Sequence, residues 1–156
     1  VLLVVVIVDS FREKIVQVGD RAPDFKITTD NGKLVTRDSF GGRLLVLNFW
    51  ATWCPPCIDE MPSLDDFQKR LAASGVVVLG VSVDKDPELY KKFLEKNPLA
   101  YPTARDPEQT INSRYGTIQY PESYLIDKTG KVVEKYISVQ PWNSPQMLQH
   151  IGSMLQ

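Results

Sequence analysis

Within one short stretch of this chain an apolar run, Leu44–Trp50 (LLVLNFW), leads into Cys54-Pro55-Pro56-Cys57 and then into a helical repeat of apolar residues. A run without polar alternation needs cover on both faces, so it reads as a strand inside a sheet flanked by helices. After the cysteines, Ile58, Met61, Leu64, Phe67 and Leu71 recur every three or four residues, an amphipathic helix that ends near Ser74-Gly75. The strand-to-helix junction therefore lies at the end of a sheet, with the helix N-terminus aimed at the cysteine pair. That arrangement implies a working dithiol, cycling between two thiols and one disulfide.

Helix-end geometry supplies the chemistry. With Cys54 as N-cap, Pro55 takes the first helical position, where its missing N–H costs nothing. Pro56 then removes the second amide, and an N-cap side chain accepts from the second or third helical N–H. The amide and thiol of Cys57 are left as the nearest donors to a Cys54 thiolate. A free thiol has a pKa of about 8.5, which such settings lower to roughly 3.5–7.5. The helix dipole contributes only ~0.3–1 kcal/mol at an exposed site, while one pKa unit is worth about 1.4 kcal/mol. Hydrogen bonds from Cys57 must therefore supply the larger share, and Pro55 and Pro56 act as redox-tuning residues. Cys54 is expected to be the exposed nucleophile and Cys57 the buried resolving thiol.

Other uses of the pair fit less well. Structural zinc takes about four ligands, and the chain offers two cysteines and one histidine, His150. No metal and no cofactor beyond the redox disulfide is expected. A purely structural bridge closing so short a loop would restrict the unfolded chain very little. Glu60 lies three residues after Cys57 and shares its helical face. A carboxylate beneath a buried thiol can take its proton as a general base.

The stretch from Asn48 to Pro62 (NFWATWCPPCIDEMP) resembles the active-site segment of TlpA/ResA-like proteins in the thioredoxin superfamily. Val18–Phe25 (VGDRAPDF) is similar to the opening segment of that family, which peroxiredoxins share. Tyr115-Gly116 and Tyr120–Asp127 (YPESYLID) are similar to its proline loop and following strand, in a form nearest the DsbE/CcmG branch. Gln119 departs from that branch, which has glycine there. The resemblance implies a thioredoxin fold, a central mixed β-sheet flanked by helices, with an N-terminal β-hairpin extension and an inserted strand and helix between Asp84 and Arg114. It implies catalytic Cys54, Cys57 and Glu60, with Trp53, Tyr120 and a cis Pro121 contacting substrate. It also implies an extracytoplasmic, membrane-anchored, monomeric reductant acting on cysteine-containing proteins such as apocytochrome c. Its electrons would come from a membrane thiol-electron transporter.

Composition agrees with one globular domain: 156 residues, 43% hydrophobic, net charge −1. A near-neutral chain with scattered Lys and Arg offers no basic stripe for nucleic acid. Val1–Val8 (VLLVVVIV) is unbroken hydrocarbon but far shorter than the about 20 residues a span requires. Residues 1–14 are read as the remnant of a membrane anchor with its linker, and 15–156 as the thioredoxin-like domain. A buried N-terminal strand is the other reading of that run.

Local signals place the remaining elements. Asp24–Thr28 and Lys33–Thr36 flank a turn signal, Thr29-Asp30-Asn31-Gly32. Val76–Val83 reads as a second buried strand, parallel to the first. Asp86-Pro87 starts a helix to Lys96, and Asp106–Gln109 reads as a capping box for a short helix to Arg114. Ser123–Ile126 and Val132–Ile137 bracket a second hairpin, and Ser144-Pro145 opens the last helix, with His150 on its surface. Trp142 reads as core and Asp84 as a turn or cap residue.

Two rival functions come from other classes. A peroxiredoxin-like thiol peroxidase needs Pro-x-x-x-Thr/Ser-x-x-Cys. Counting back from Cys54 gives Ala51 and Leu47, and from Cys57 gives Cys54 and Trp50, so neither cysteine fits. A non-enzymatic holdase or binding module would need no dithiol.

Overall fold

The computed structural model describes residues 15–155. The expected anchor and linker, residues 1–14, lie outside the described residues. Among the described residues no helix is long and apolar enough to cross a membrane.

The apolar run forms strand β3 (Leu44–Trp50) at the centre of a five-stranded sheet ordered β5-β4-β3-β6-β7. Its neighbours are β4 (Val76–Ser82), parallel to it, and β6 (Glu122–Ile126), antiparallel. Beyond them lie β5 (Thr103–Arg105), parallel to β4, and β7 (Val132–Ile137), antiparallel to β6. Strands β1 (Lys26–Thr28) and β2 (Leu34–Thr36) make the separate N-terminal hairpin. Helices α1 (Pro55–Leu71), α2 (Pro87–Lys96), α3 (Thr110–Tyr115) and α4 (Pro145–Ser153) complete the fold.

All seven residues of β3 are buried because both sheet faces are covered. Successive side chains point to opposite faces. Leu45, Leu47 and Phe49 join Phe25, Ile27, Tyr115 and Tyr124 on one side. Leu44 and Val46 join Leu64, Phe67, Trp142 and Ile151 on the other. The last position on that second face, Trp50, packs with Cys54, Cys57, Met61 and Tyr90. Gly80 lets this happen: a Cβ there would stand 2.9 Å from Thr103 Oγ1 and 3.0 Å from Trp50 Nε1.

The structure moves several boundaries. β1 begins at Lys26 rather than Asp24, and β6 begins at Glu122 rather than Ser123. The capping box at Asp106–Gln109 does not form: the N-cap of α3 is Gln109, at φ 54°. Asp106 instead reaches over the Pro107-Glu108 turn and accepts from the amides of Thr110, Ile111 and Asn112, at 3.0, 2.8 and 3.2 Å. A carboxylate satisfies the free N–H groups of a helix start from outside the chain register as well as from the N-cap itself.

Candidate active site

The site grows from the N-terminus of α1. Cys54 is its N-cap in extended conformation, φ −106° and ψ 100°, and Pro55 and Pro56 fill the first two helical positions. With the Pro56 amide gone, Cys54 Sγ accepts from the Cys57 N–H at 3.3 Å. Cys54 and Cys57 are joined as a disulfide, with Cα atoms 5.3 Å apart. The expectation of an exposed Cys54 does not hold in this oxidised form: Cys54 is 5% exposed and Cys57 3%. Both cysteines belong to a buried cluster with Trp50, Met61, Val83 and Tyr90, and Tyr120 packs against it.

The turn that presents the cysteines is held from β4. Asp84, just past the strand end, accepts from the Thr52 amide at 2.9 Å and the Thr52 hydroxyl at 2.5 Å. It also accepts from Ser82 Oγ at 2.5 Å. These three donors make Asp84 a turn anchor, as its position suggested.

Trp53 stands out of the surface at 62% exposure, its ring edge-on to Tyr120 at 6.0 Å between centroids. The Tyr120–Pro121 peptide bond is cis. Tyr120 donates to Asn112 Oδ1 at 3.0 Å, which ties this loop to α3. Ser138 N–H donates to the Pro121 carbonyl at 3.0 Å, which ties it to the chain after β7. The structure thus brings Trp53 to Tyr120, which precedes the cis Pro121 and packs against the cluster that holds both cysteines.

Glu60 is 2% exposed, on the same helix as the dithiol. Its Oε1 accepts from Trp142 Nε1 at 2.7 Å and from the Gln140 amide at 3.1 Å. Its Oε2 accepts from Asn48 Nδ2 at 3.4 Å, and Asn48 also donates to Ser123 Oγ at 2.9 Å. Burial pushes the carboxyl from 4.5 up to about 6, and the hydrogen bonds from Trp142, Gln140 and Asn48 hold it back from rising further. A group poised near 6 exchanges protons readily at neutral pH. The sequence reading assigned none of these partners to Glu60. Asn48 carried a usable signal, being the single polar residue in LLVLNFW. Trp142 lies in the core as expected, and the partner of its indole N–H is 82 positions away in the chain.

His150 sits at the surface beside Glu134, with Nε2 and Oε1 2.5 Å apart. Among the described residues no group of three or more His, Cys, Asp or Glu is placed to hold a metal ion.

The AhpC/TSA family model matches residues 18–135. A thiol-disulfide oxidoreductase ResA of Bacillus thuringiensis (strain Al Hakam) is 38% identical over 124 residues, covering 80% of this chain and 72% of its own. The chain belongs to the AhpC/TSA family, among its ResA-like thiol-disulfide oxidoreductases. The ResA of Geobacillus thermodenitrificans is 34% identical over 145 residues, 92% of this chain and 82% of its own. Among solved structures, a putative thiol:disulfide interchange protein DsbE of Chlorobium tepidum superposes with a TM-score of 0.83 at 32% identity. It spans 90% of this chain and 99% of its own. This ResA-like chain is an enzyme of thiol–disulfide exchange on a thioredoxin fold, with Cys54 and Cys57 as its disulfide.

Proposed function

We propose that this ResA-like protein is an extracytoplasmic reductant of protein disulfides, with the cysteine pair of an apocytochrome c as its client class. In the reduced enzyme the Cys54 thiolate attacks one sulfur of the client disulfide. A mixed disulfide forms and one client thiolate leaves. Cys57 then passes its proton to Glu60, attacks the Cys54 sulfur and releases the second client thiolate, re-forming Cys54–Cys57. Two electrons have moved to the client, and a membrane thiol transporter returns the enzyme to the dithiol. Trp53, Tyr120 and Pro121 form the surface on which the client peptide lies, with the protein tethered through the segment 1–14.

The observation that carries this reading is the placement of a buried carboxylate, Glu60, on the same helix as a dithiol flanked by an exposed aromatic lid. The DsbE-like fold neighbour and the proline-loop residues YPES support the client class. The peroxidase reading lacks its Thr/Ser and Pro at the required offsets from either cysteine.

The test is twofold. Equilibration with dithiothreitol or glutathione buffers should place the potential toward the thioredoxin end of a range running from about −270 to about −120 mV. A potential near the oxidising end would overturn the assignment as a reductant. The Cys57→Ser variant should trap a mixed disulfide through Cys54 with an oxidised Cys-x-x-Cys-His peptide, the haem-attachment pattern. No adduct with that peptide, alongside ready adducts with other disulfides, would remove the apocytochrome client.

A further inference from the structure

The carboxylate of Glu60 is held by groups that the exchange reaction itself does not use. Residues 138–142, between β7 and α4, form a strap that makes two attachments near the dithiol. The Ser138 amide donates to the Pro121 carbonyl at 3.0 Å. The Gln140 amide and the Trp142 indole both donate to Glu60 Oε1 at 3.1 and 2.7 Å, while Ser63 Oγ donates back to the Gln140 carbonyl at 3.3 Å. Trp142 is fully buried, its ring 5.3 Å from Phe67 and 5.2 Å from Tyr136 between centroids, so its N–H cannot swing to another acceptor without repacking.

We propose that Trp142 is a positioning residue for thiol–disulfide exchange: its indole N–H fixes the Glu60 carboxylate beneath the dithiol and sets the pH at which that carboxylate can take a proton. The proposal rests on the reading of Glu60 as the base. The two opposing influences on Glu60 are separable in the geometry. Withdrawal from water favours the protonated acid, and three donors favour the carboxylate. Trp142 supplies the shortest of the three contacts, and a hydrogen bond to a charged acceptor is about twice as strong as a neutral one.

Few other charges bear on the site. On α1 itself these are Asp59 and Asp65, since the Cys54–Cys57 disulfide carries no charge. From the elements packed against it come Tyr101, whose hydroxyl is pushed upward by burial and by Asp65 and Glu60, and Tyr136, which lies against Trp142 and donates to Glu134. Both tyrosines have hydroxyl pKa values raised above the ordinary 10, so they stay neutral while Glu60 titrates. Glu122 and Lys135 pair with each other, and Glu122 aligns with Phe49 in the sheet register, which puts it on the face away from Asn48.

Trp142→Phe deletes the N–H and keeps a ring between Phe67 and Tyr136. The direct readout is the Glu60 carboxyl midpoint, followed by carbon NMR in the oxidised protein and assigned by its absence in Glu60→Gln. The midpoint should rise by about one to two units, lowering the deprotonated fraction at pH 7 from about nine-tenths to between about a half and a tenth. The pH–rate profile of mixed-disulfide resolution should move upward by the same interval, and Trp142→Phe should add no further pH shift in a Glu60→Gln background. If Trp142→Phe does not fold, the Trp142 Nε1–H resonance of the parent, followed by nitrogen–proton NMR, should shift with the same midpoint as the Glu60 carboxyl and lose that shift in Glu60→Gln. An unchanged Glu60 midpoint in folded Trp142→Phe, or a parent Trp142 Nε1–H resonance that does not follow the Glu60 midpoint, overturns the proposal. A raised midpoint with an unmoved rate profile keeps the Trp142–Glu60 coupling and overturns instead the role of Glu60 as base.

Discussion

Glu60 shows how a single carboxylate is made useful by two effects of opposite sign. A glutamate in water titrates near 4.5, and one buried without partners would stay protonated far above neutral pH. Here the donors Trp142, Gln140 and Asn48 arrest the rise at about 6. Near pH 7 the group is mostly a carboxylate, and it holds a proton more readily than a surface glutamate does. Glu60→Gln retains the shape and the acceptor oxygen for Trp142 while abolishing proton uptake. Mixed-disulfide resolution near pH 7 should slow by about 100-fold, the low end of general-base contributions, with the limb near pH 6 gone from the profile. Stopped-flow fluorescence from pH 5 to 8 measures this. A profile superimposable on the parent's would reduce Glu60 to a buried structural residue.

Each element around the cysteines has a definite task. The Pro-Pro start of α1 silences an amide and leaves the Cys57 N–H to Cys54. The end of β4 holds the preceding turn through Asp84. β5 supplies Thr103, which accepts from the Trp50 indole at 3.3 Å and lies 3.2 Å from the Tyr90 hydroxyl. This packing requires a hydrogen at position 80 of β4. In Gly80→Ala the new methyl would meet Thr103 Oγ1 at 2.9 Å and Trp50 Nε1 at 3.0 Å. Thr103 is part of a strand and Trp50 is enclosed, so neither gives way cheaply. The expected loss is about 1–3 kcal/mol, typical of an overfilled core, read as a lower urea midpoint with unchanged slope. An unaltered midpoint would mean that β5 shifts freely outward.

Across the whole molecule the same carboxylate makes stability depend on pH. The unfolded chain releases the Glu60 proton near 4.5, and the folded protein keeps it to about 6. Between those values the native state binds more protons, so this group's contribution to stability falls as pH rises through that window. Its full cost, about 2 kcal/mol from the 1.5-unit difference between 4.5 and about 6, is present above pH 6 and absent below pH 4.5. Asp30, raised by burial, acts in the same direction, so the useful quantity is the difference between the parent and Glu60→Gln. Urea unfolding of both oxidised proteins at pH 4 and pH 7 should show the parent losing about 2 kcal/mol relative to the variant. A pH-independent difference would contradict the raised pKa of Glu60.

Much of this architecture is legible along the chain because its causes are local. The LLVLNFW run, the helical spacing from Ile58 to Leu71, the Pro-Pro cap and the two Gly-containing turns each depend on neighbours within a few residues. They place β3, α1, both hairpins and the dithiol correctly. What the chain alone leaves open depends on contacts between distant segments. Glu60 meets Gln140 and Trp142 across 80 and 82 positions, and Thr52 meets Asp84 across 32. Asp106 caps α3 from beyond the helix start because of how the Pro107-Glu108 turn folds back. Both cysteines are buried in a cluster that also draws Tyr90, Val83 and Tyr120 from three separate parts of the chain. Sheet order and strand register create these meetings. Hydrogen bonding and burial across a sheet leave no periodic trace in either partner, so Glu60 acquires its environment only when the layers close.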